Sequence, residues 1–203
     1  MRFRDKIKKP QRPVVTYEIL PPREKDGTLN SYAEKISSLL SQTHIDAINI
    51  PEVREEEGRG KRPVVNSSRA EPRHFGRLLQ DMVGVESIVN RVVVHDELNN
   101  QIKWFRETHE KYEIENMIIV GGESSKIKYI GPTVNQILEL VAFKYNNNGG
   151  DILCGGITLP TRLNESKNLI RKSGNGAEFF TTQVLCDSEN IVKMMNKYQE
   201  RCD

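Results

Sequence analysis

No apolar run in this chain approaches the roughly 20 residues needed to cross a bilayer. The basic start, with Arg2, Arg4, Lys6, Lys8 and Lys9, is not followed by the apolar stretch of a signal peptide, so a cytoplasmic protein without a membrane anchor is expected. Cysteine is scarce: Cys154, Cys186 and Cys202 are an odd number without metal-ligand spacing, which argues against a disulfide framework or a zinc site. Cys154 and Cys186 fall in apolar runs, where a reduced thiol behaves as a small hydrophobe. An excess of one charge is also missing. A net charge of +2 gives no strong field for nucleic acid, and without interleaved aromatics the basic first dozen residues read as a solvated tail. His44, His74, His95 and His109 stand in no nucleophile or metal constellation, so no metal is expected and hydrolase readings have no support. Neither G-x-G-x-x-G nor the Walker pattern occurs.

What is present is an alternation. Short apolar runs at Val14–Leu20, Ala47–Ile50, Ile88–Val94, Met117–Val120, Ile152–Leu159 and Ala177–Leu185 are separated by amphipathic stretches. Those stretches, Leu29–Ser41, His74–Met82, Glu97–Tyr112, Val134–Asn146, Leu163–Lys172 and Glu189–Arg201, read as helices, with Asp96, Thr133 and the pair Asp187–Ser188 as N-terminal caps. This is the pattern of βα units around a parallel sheet, and with 36% hydrophobic residues the 203-residue chain is expected to form one domain, residues 1–203. A closed (β/α)8 TIM barrel needs eight such units and about 250 residues. Six are visible, so the expectation is a barrel lacking its last two units, homo-oligomeric or with a partner chain over the open edge. The long, charged connection from Pro51 to Arg73 reads either as a lid over the strand ends or as a solvated loop.

Candidate chemistry lies near the strand ends. Gln183, after Thr181 and Thr182, is an amide in what reads as a buried parallel strand, where an unpaired polar group is costly and a ligand is the expected partner. Glu18 sits among apolar neighbours in the first strand, where lost hydration favours the protonated acid and suits a general acid. The alternative is a strand-end carboxylate paired with a Lys or Arg. Gly121 and Gly122 before Glu123 let a flat ligand approach the backbone, or make a plain turn. The segment from Tyr129 to Thr133 leads into a helix N-terminus that suits an anion. Gly155 and Gly156 again remove side chains near a strand end, with Arg162 beyond and Glu165, Arg171 and Lys172 on the next helix.

The segment from Tyr17 to Pro22, together with Arg171-Lys172, Gly176-Ala177 and Thr182-Gln183 in fixed order, resembles the methylenetetrahydrofolate reductase family. The resemblance implies a TIM barrel that reduces 5,10-methylenetetrahydrofolate to 5-methyltetrahydrofolate, in one-carbon and methionine metabolism, with FAD as cofactor and NADH or NADPH as hydride donor. It implies Glu18 as general acid, Gln183 and Glu123 as folate-binding residues, and Gly121, Gly122, Tyr129, Gly156, Glu165 and Lys172 around the cofactor. The chain departs from the family at Gly121, Pro51 and Arg91, and Glu123 and Glu165 replace Asp. Two alternatives remain beside it: a partner-dependent or non-catalytic subunit that binds folate or flavin, and a flavin-free tetrahydrofolate-dependent methyltransferase on the same scaffold.

Overall fold

The structure is a computed structural model that describes residues 1–54, 68–122 and 127–202. Six parallel strands, β1 (Thr16–Glu18), β2 (Ala47–Ile50), β3 (Glu86–Val92), β4 (Asn116–Val120), β5 (Leu153–Thr158) and β6 (Phe179–Thr182), form one sheet in sequential order. Each strand pairs with the next in parallel register, from Thr16 opposite Ala47 to Thr158 opposite Thr182, and the sheet curls into a half-barrel. Its outer face carries α2 (Leu29–Leu40), α3 (Pro72–Val83), α4 (Leu98–Glu110), α5 (Val134–Glu139) and α6 (Glu165–Gly174), while α7 (Glu189–Cys202) packs on α6. A short α1 (Phe3–Lys8) precedes β1.

Local chemistry sets the ends of these elements. Thr28 caps α2 by accepting from the Ser31 amide, and Glu71 caps α3 by accepting from the His74 amide ahead of Pro72 in the first turn. Thr133 and Gln136 form a reciprocal capping box on α5. Asp187 accepts from the Glu189 amide at 3.0 Å. Asp96 does not cap α4: its carboxylate instead receives Arg91 and Arg54, at 2.7 and 2.8 Å.

Period-two alternation along the strands divides the core. Ile48, Ile50, Val89, Met117, Ile119 and Cys154 point outward to the helices, and Ala47, Ile88, Ile118 and Leu153 point into the lumen. Burial pushes the Cys154 thiol up to about 12, whereas Cys186 is exposed. Iodoacetamide at pH 8 should therefore alkylate Cys186 in the native protein and reach Cys154 only on unfolding, as read by peptide mass mapping.

The basic start is not a solvated tail. Phe3 is 2% exposed and fills the bottom of the lumen against Ala47, Ile88, Ile118 and Leu153, meeting Phe179 edge to face at 5.9 Å. The cations around it clip onto acids preceding the strands: Lys6 to Asp46 at 3.2 Å, Lys8 to Glu178 at 2.6 Å, and Arg2 to Asp151 at 2.7 Å. Helix α1 thus spans from the β2 side to the β6 side and floors the half-barrel. In a closed barrel, side chains from further strands would fill that space.

Asp46 is the strongest of these anchors. Only 2% exposed, it accepts from Arg12 at 2.8 Å and from the Val15 amide at 2.9 Å. The Arg12 guanidinium first, then that amide, hold its carboxyl well below the usual carboxylate range. A carboxylate depressed in the folded state lends stability above its unfolded value of roughly 3.9 and loses it as pH falls toward the folded value. Asp46→Asn should therefore melt well below wild type at pH 7, by about 2–3 kcal/mol for a buried charge-assisted site, and the two melting curves should converge as the pH is taken below roughly 3.

Candidate functional site

The lumen is apolar at its floor and polar above it. One inward step above Ala47 on β2 stands Asn49, and one step above Ile88 on β3 stands Asn90; both are buried, at 8% and 9% exposure. The Asn49 side-chain N–H donates to Glu18 Oε2 on β1 at 2.7 Å, which orients the amide. Its Oδ1 and that of Asn90 are buried without a hydrogen-bond partner among the described residues. A buried acceptor left unmade costs about 1–3 kcal/mol, and here two stand on the inward side of neighbouring strands. By the alternation, the inward strand positions among the described residues carry no Lys or Arg, and Arg91 points outward instead.

A charged rim borders this space at the ends of β2 and β3. Arg91, stacked 4.8 Å from the Trp104 ring centroid, donates to Glu52 at 2.8 Å, to Asp96 and to Gln101, and burial lowers its pKa below the ordinary arginine value. Glu52 also accepts from the Val92 amide at 2.6 Å. These contacts account for the rim's ions within the chain and fix the strand ends.

The residues singled out in the sequence fall in several places. Glu18 does reach the lumen beside Asn49, but it is exposed, because β1 is an edge strand with no neighbour on its outer side; the expected loss of hydration is absent. Gln183 lies beyond the end of β6 and is exposed, so the buried strand expected around it is not there: β6 is the opposite edge of the sheet. Glu123 lies outside the described residues, as do the charges at 55–62 in the connection after β2.

Gly121 and Gly122 follow β4, but the space over Gly122 is taken by Tyr129, whose ring would stand 2.1 Å from an added Cβ. That ring also meets His95 edge to face at 5.5 Å, so this glycine admits a side chain of the same chain and not a flat ligand. Gly131, in the same stretch, packs against backbone at Val93 and Asp96, 2.6 and 2.5 Å from where a Cβ would be.

Gly156, Glu165 and Lys172 do come together, on the outer face of β5. Glu165, 2% exposed at the start of α6, accepts from Thr158 Oγ1 and the Leu159 amide at 3.2 Å and from Asn168 at 2.8 Å. Lys172 donates to the Ile157 carbonyl and lies 4.0 Å from Glu165, with burial lowering its pKa. The trio ties the end of β5 to α6. Gly176 likewise needs its place, with φ at 104° and Ala142 Cβ 2.3 Å from an added Cβ.

The argument that fails at Gln183 holds at Asn49 and Asn90. Each is an amide inside an apolar parallel strand, in Ala47-Ile48-Asn49-Ile50 and Ile88-Val89-Asn90. Both strands lie inside the sheet and not at its edge.

Comparison with known proteins brings a correction. No family model and no curated protein matches the chain. Among solved structures, an uncharacterised protein from Clostridium thermocellum that binds two copies of 5-methyl-5,6,7,8-tetrahydrofolic acid superposes with a TM-score of 0.73 at 18% identity, over 97% of this chain and 63% of that one. A 2,3-dimethylmalate lyase, a member of the PEP mutase/isocitrate lyase superfamily, superposes with a TM-score of 0.57 at 14% identity, over 95% and 65%. The chain thus spans just under two thirds of the length of either. These likenesses establish the fold: an α/β half-barrel of parallel strands. Neither structure is a methylenetetrahydrofolate reductase, and the resemblance to that family does not stand. With it goes the reading of the chain as a flavoprotein oxidoreductase using FAD and NADH or NADPH. Lys172 and Gly176, which helped carry the resemblance, and Gly122 and Glu165, which it assigned to the cofactor, serve packing within the chain. No helix among the described residues is long and apolar enough to cross a membrane.

Proposed function

We propose that this half-barrel binds a reduced folate, with the pterin ring in the lumen against Asn49 and Asn90. The observation that carries the reading is the pair of buried, unpartnered amide oxygens above the apolar floor. A reduced pterin presents N–H donors (the 2-amino group, N3–H and N8–H) along one edge, which matches two acceptors, and its ring face can pack over a floor built from Phe3 and Phe179. Glu18 accepts from the same edge, from the open side of the site. The similar fold that binds 5-methyltetrahydrofolic acid supports this choice of ligand. This reading is the folate-binding alternative to the reductase.

Titration calorimetry with 5-methyltetrahydrofolate tests this. A saturable isotherm is expected, and p-aminobenzoylglutamate, which lacks the pterin, should give none at the same concentration. Glu18→Gln should weaken binding by roughly tenfold, about the worth of one charge-assisted hydrogen bond at a partly solvated position. No saturable heat from wild type would overturn the reading.

A further inference from the structure

The cavity between the start of α6 and the length of α7, of about 400 Å³, is lined by Arg162, Lys193, Lys197 and Arg201 with Asn190, and the lumenal site makes no use of it. It opens at the same end of the sheet as the lumen: α7 crosses the C-terminal end of β5, where Met194 Sδ lies 3.5 Å from Thr158 Oγ1. Lys193, Lys197 and Arg201 recur at helical spacing on one face of α7, which sets three cations in a row along the cavity. Lys193 is paired with Glu189 at 2.5 Å, and Arg162 lies 3.6 Å from Glu165. Lys197 and Arg201 have no ion-pair partner among the described residues. Glu165 and Glu200 also line the cavity, but the Glu165 carboxylate is engaged by the Leu159 amide and Asn168, so four cations face two acids and the positive character comes from side chains.

Resting on the folate reading, we propose that this cavity takes the poly-γ-glutamyl tail of the folate. Along the rim, β2 and β3 are three and two strands from β5, which at about 4.8 Å per strand is roughly 10–14 Å. The p-aminobenzoyl arm crosses that span, and the cavity lies one layer further out, over α6. The first glutamate therefore stops short of Lys197 and Arg201, and the following γ-linked residues, each with a free carboxylate, reach them. A row of cations opposite a row of carboxylates at similar spacing is recognised by charge and not by shape, so the preference should fall with added salt.

The test compares 5-methyltetrahydrofolate monoglutamate with its pentaglutamate by calorimetry, in wild type and in Lys193→Ala/Lys197→Ala. In wild type the pentaglutamate is expected to bind about tenfold more tightly at low salt. In the double variant that ratio should fall to near one, with the melting temperature held, since both lysines are on an exposed helix face. If both folates bind wild type with a ratio near one, or if the double variant keeps the tenfold ratio, the tail site is refuted while the folate reading stands. If neither folate binds, the folate reading itself fails and takes the tail site with it.

Discussion

Replacing Asn49 and Asn90 together by Leu is expected to abolish detectable 5-methyltetrahydrofolate binding, a loss of at least a hundredfold, and to raise the protein's stability. The two effects have one origin. In the free protein each Oδ1 is buried with no partner among the described residues, at about 1–3 kcal/mol per group. Leucine is close to asparagine in shape, so the exchange removes that cost without opening a cavity. The Glu18 carboxylate released by the loss of Asn49 is exposed and is taken up by water. With ligand present the order reverses, because the wild-type amides then accept hydrogen bonds that leucine cannot. Thermal melts with and without 5-methyltetrahydrofolate read both signs. A variant less stable than wild type in the absence of ligand would mean that these amides serve the fold and not a ligand.

Phe3→Ala is expected to be the most damaging single change to the fold, at about 4 kcal/mol. Phe3 is 2% exposed among Ala47, Ile88, Ile118 and Leu153, and those small and branched side chains cannot close over the space it leaves. The ion pairs flanking it count for much less. Arg2 is 46% exposed at the side chain and its partner Asp151 42%, and exposed pairs of this kind contribute about 0–1 kcal/mol. Arg2→Ala should therefore leave the denaturation midpoint within about 1 kcal/mol of wild type, and Phe3→Ala should take a large part of the 5–15 kcal/mol typical of a domain. A loss below about 1 kcal/mol in Phe3→Ala would contradict a lumen floored by α1.

The order of elements was legible from the alternation of apolar runs and amphipathic stretches, and each of the six strands and six larger helices lies where that alternation places it. Helix α1 was not legible, because six residues with four charges carry no usable periodicity; only the lumen gives Phe3 its role. Asp96 looked like a cap by position, but a nearby pair of arginines outcompeted a helix amide for its carboxylate.

The site was half legible. Glu18 is lumenal as its strand position implies, but its hydration depends on whether β1 has an outer neighbour, which local sequence does not encode. Gln183 was read by an argument valid for a covered strand and applied to an edge. The same argument holds for Asn49 and Asn90, in strands flanked on both sides. The glycine and carboxylate positions that the reductase resemblance drew on or assigned to its cofactor are met here by packing needs: Tyr129 over Gly122, Ala142 against Gly176, and Glu165 bonded to the amide that follows β5. Any half-barrel with tight strand-to-helix turns meets such needs, so those motifs carry less functional weight than two orphaned amide oxygens.

The most direct test of the account is a crystal structure of the protein with 5-methyltetrahydrofolate. The account predicts the pterin in the lumen above Phe3, with ring N–H groups within hydrogen-bond distance of Asn49 Oδ1 and Asn90 Oδ1. A folate bound elsewhere on the chain, with both amide oxygens still unpartnered, would contradict it.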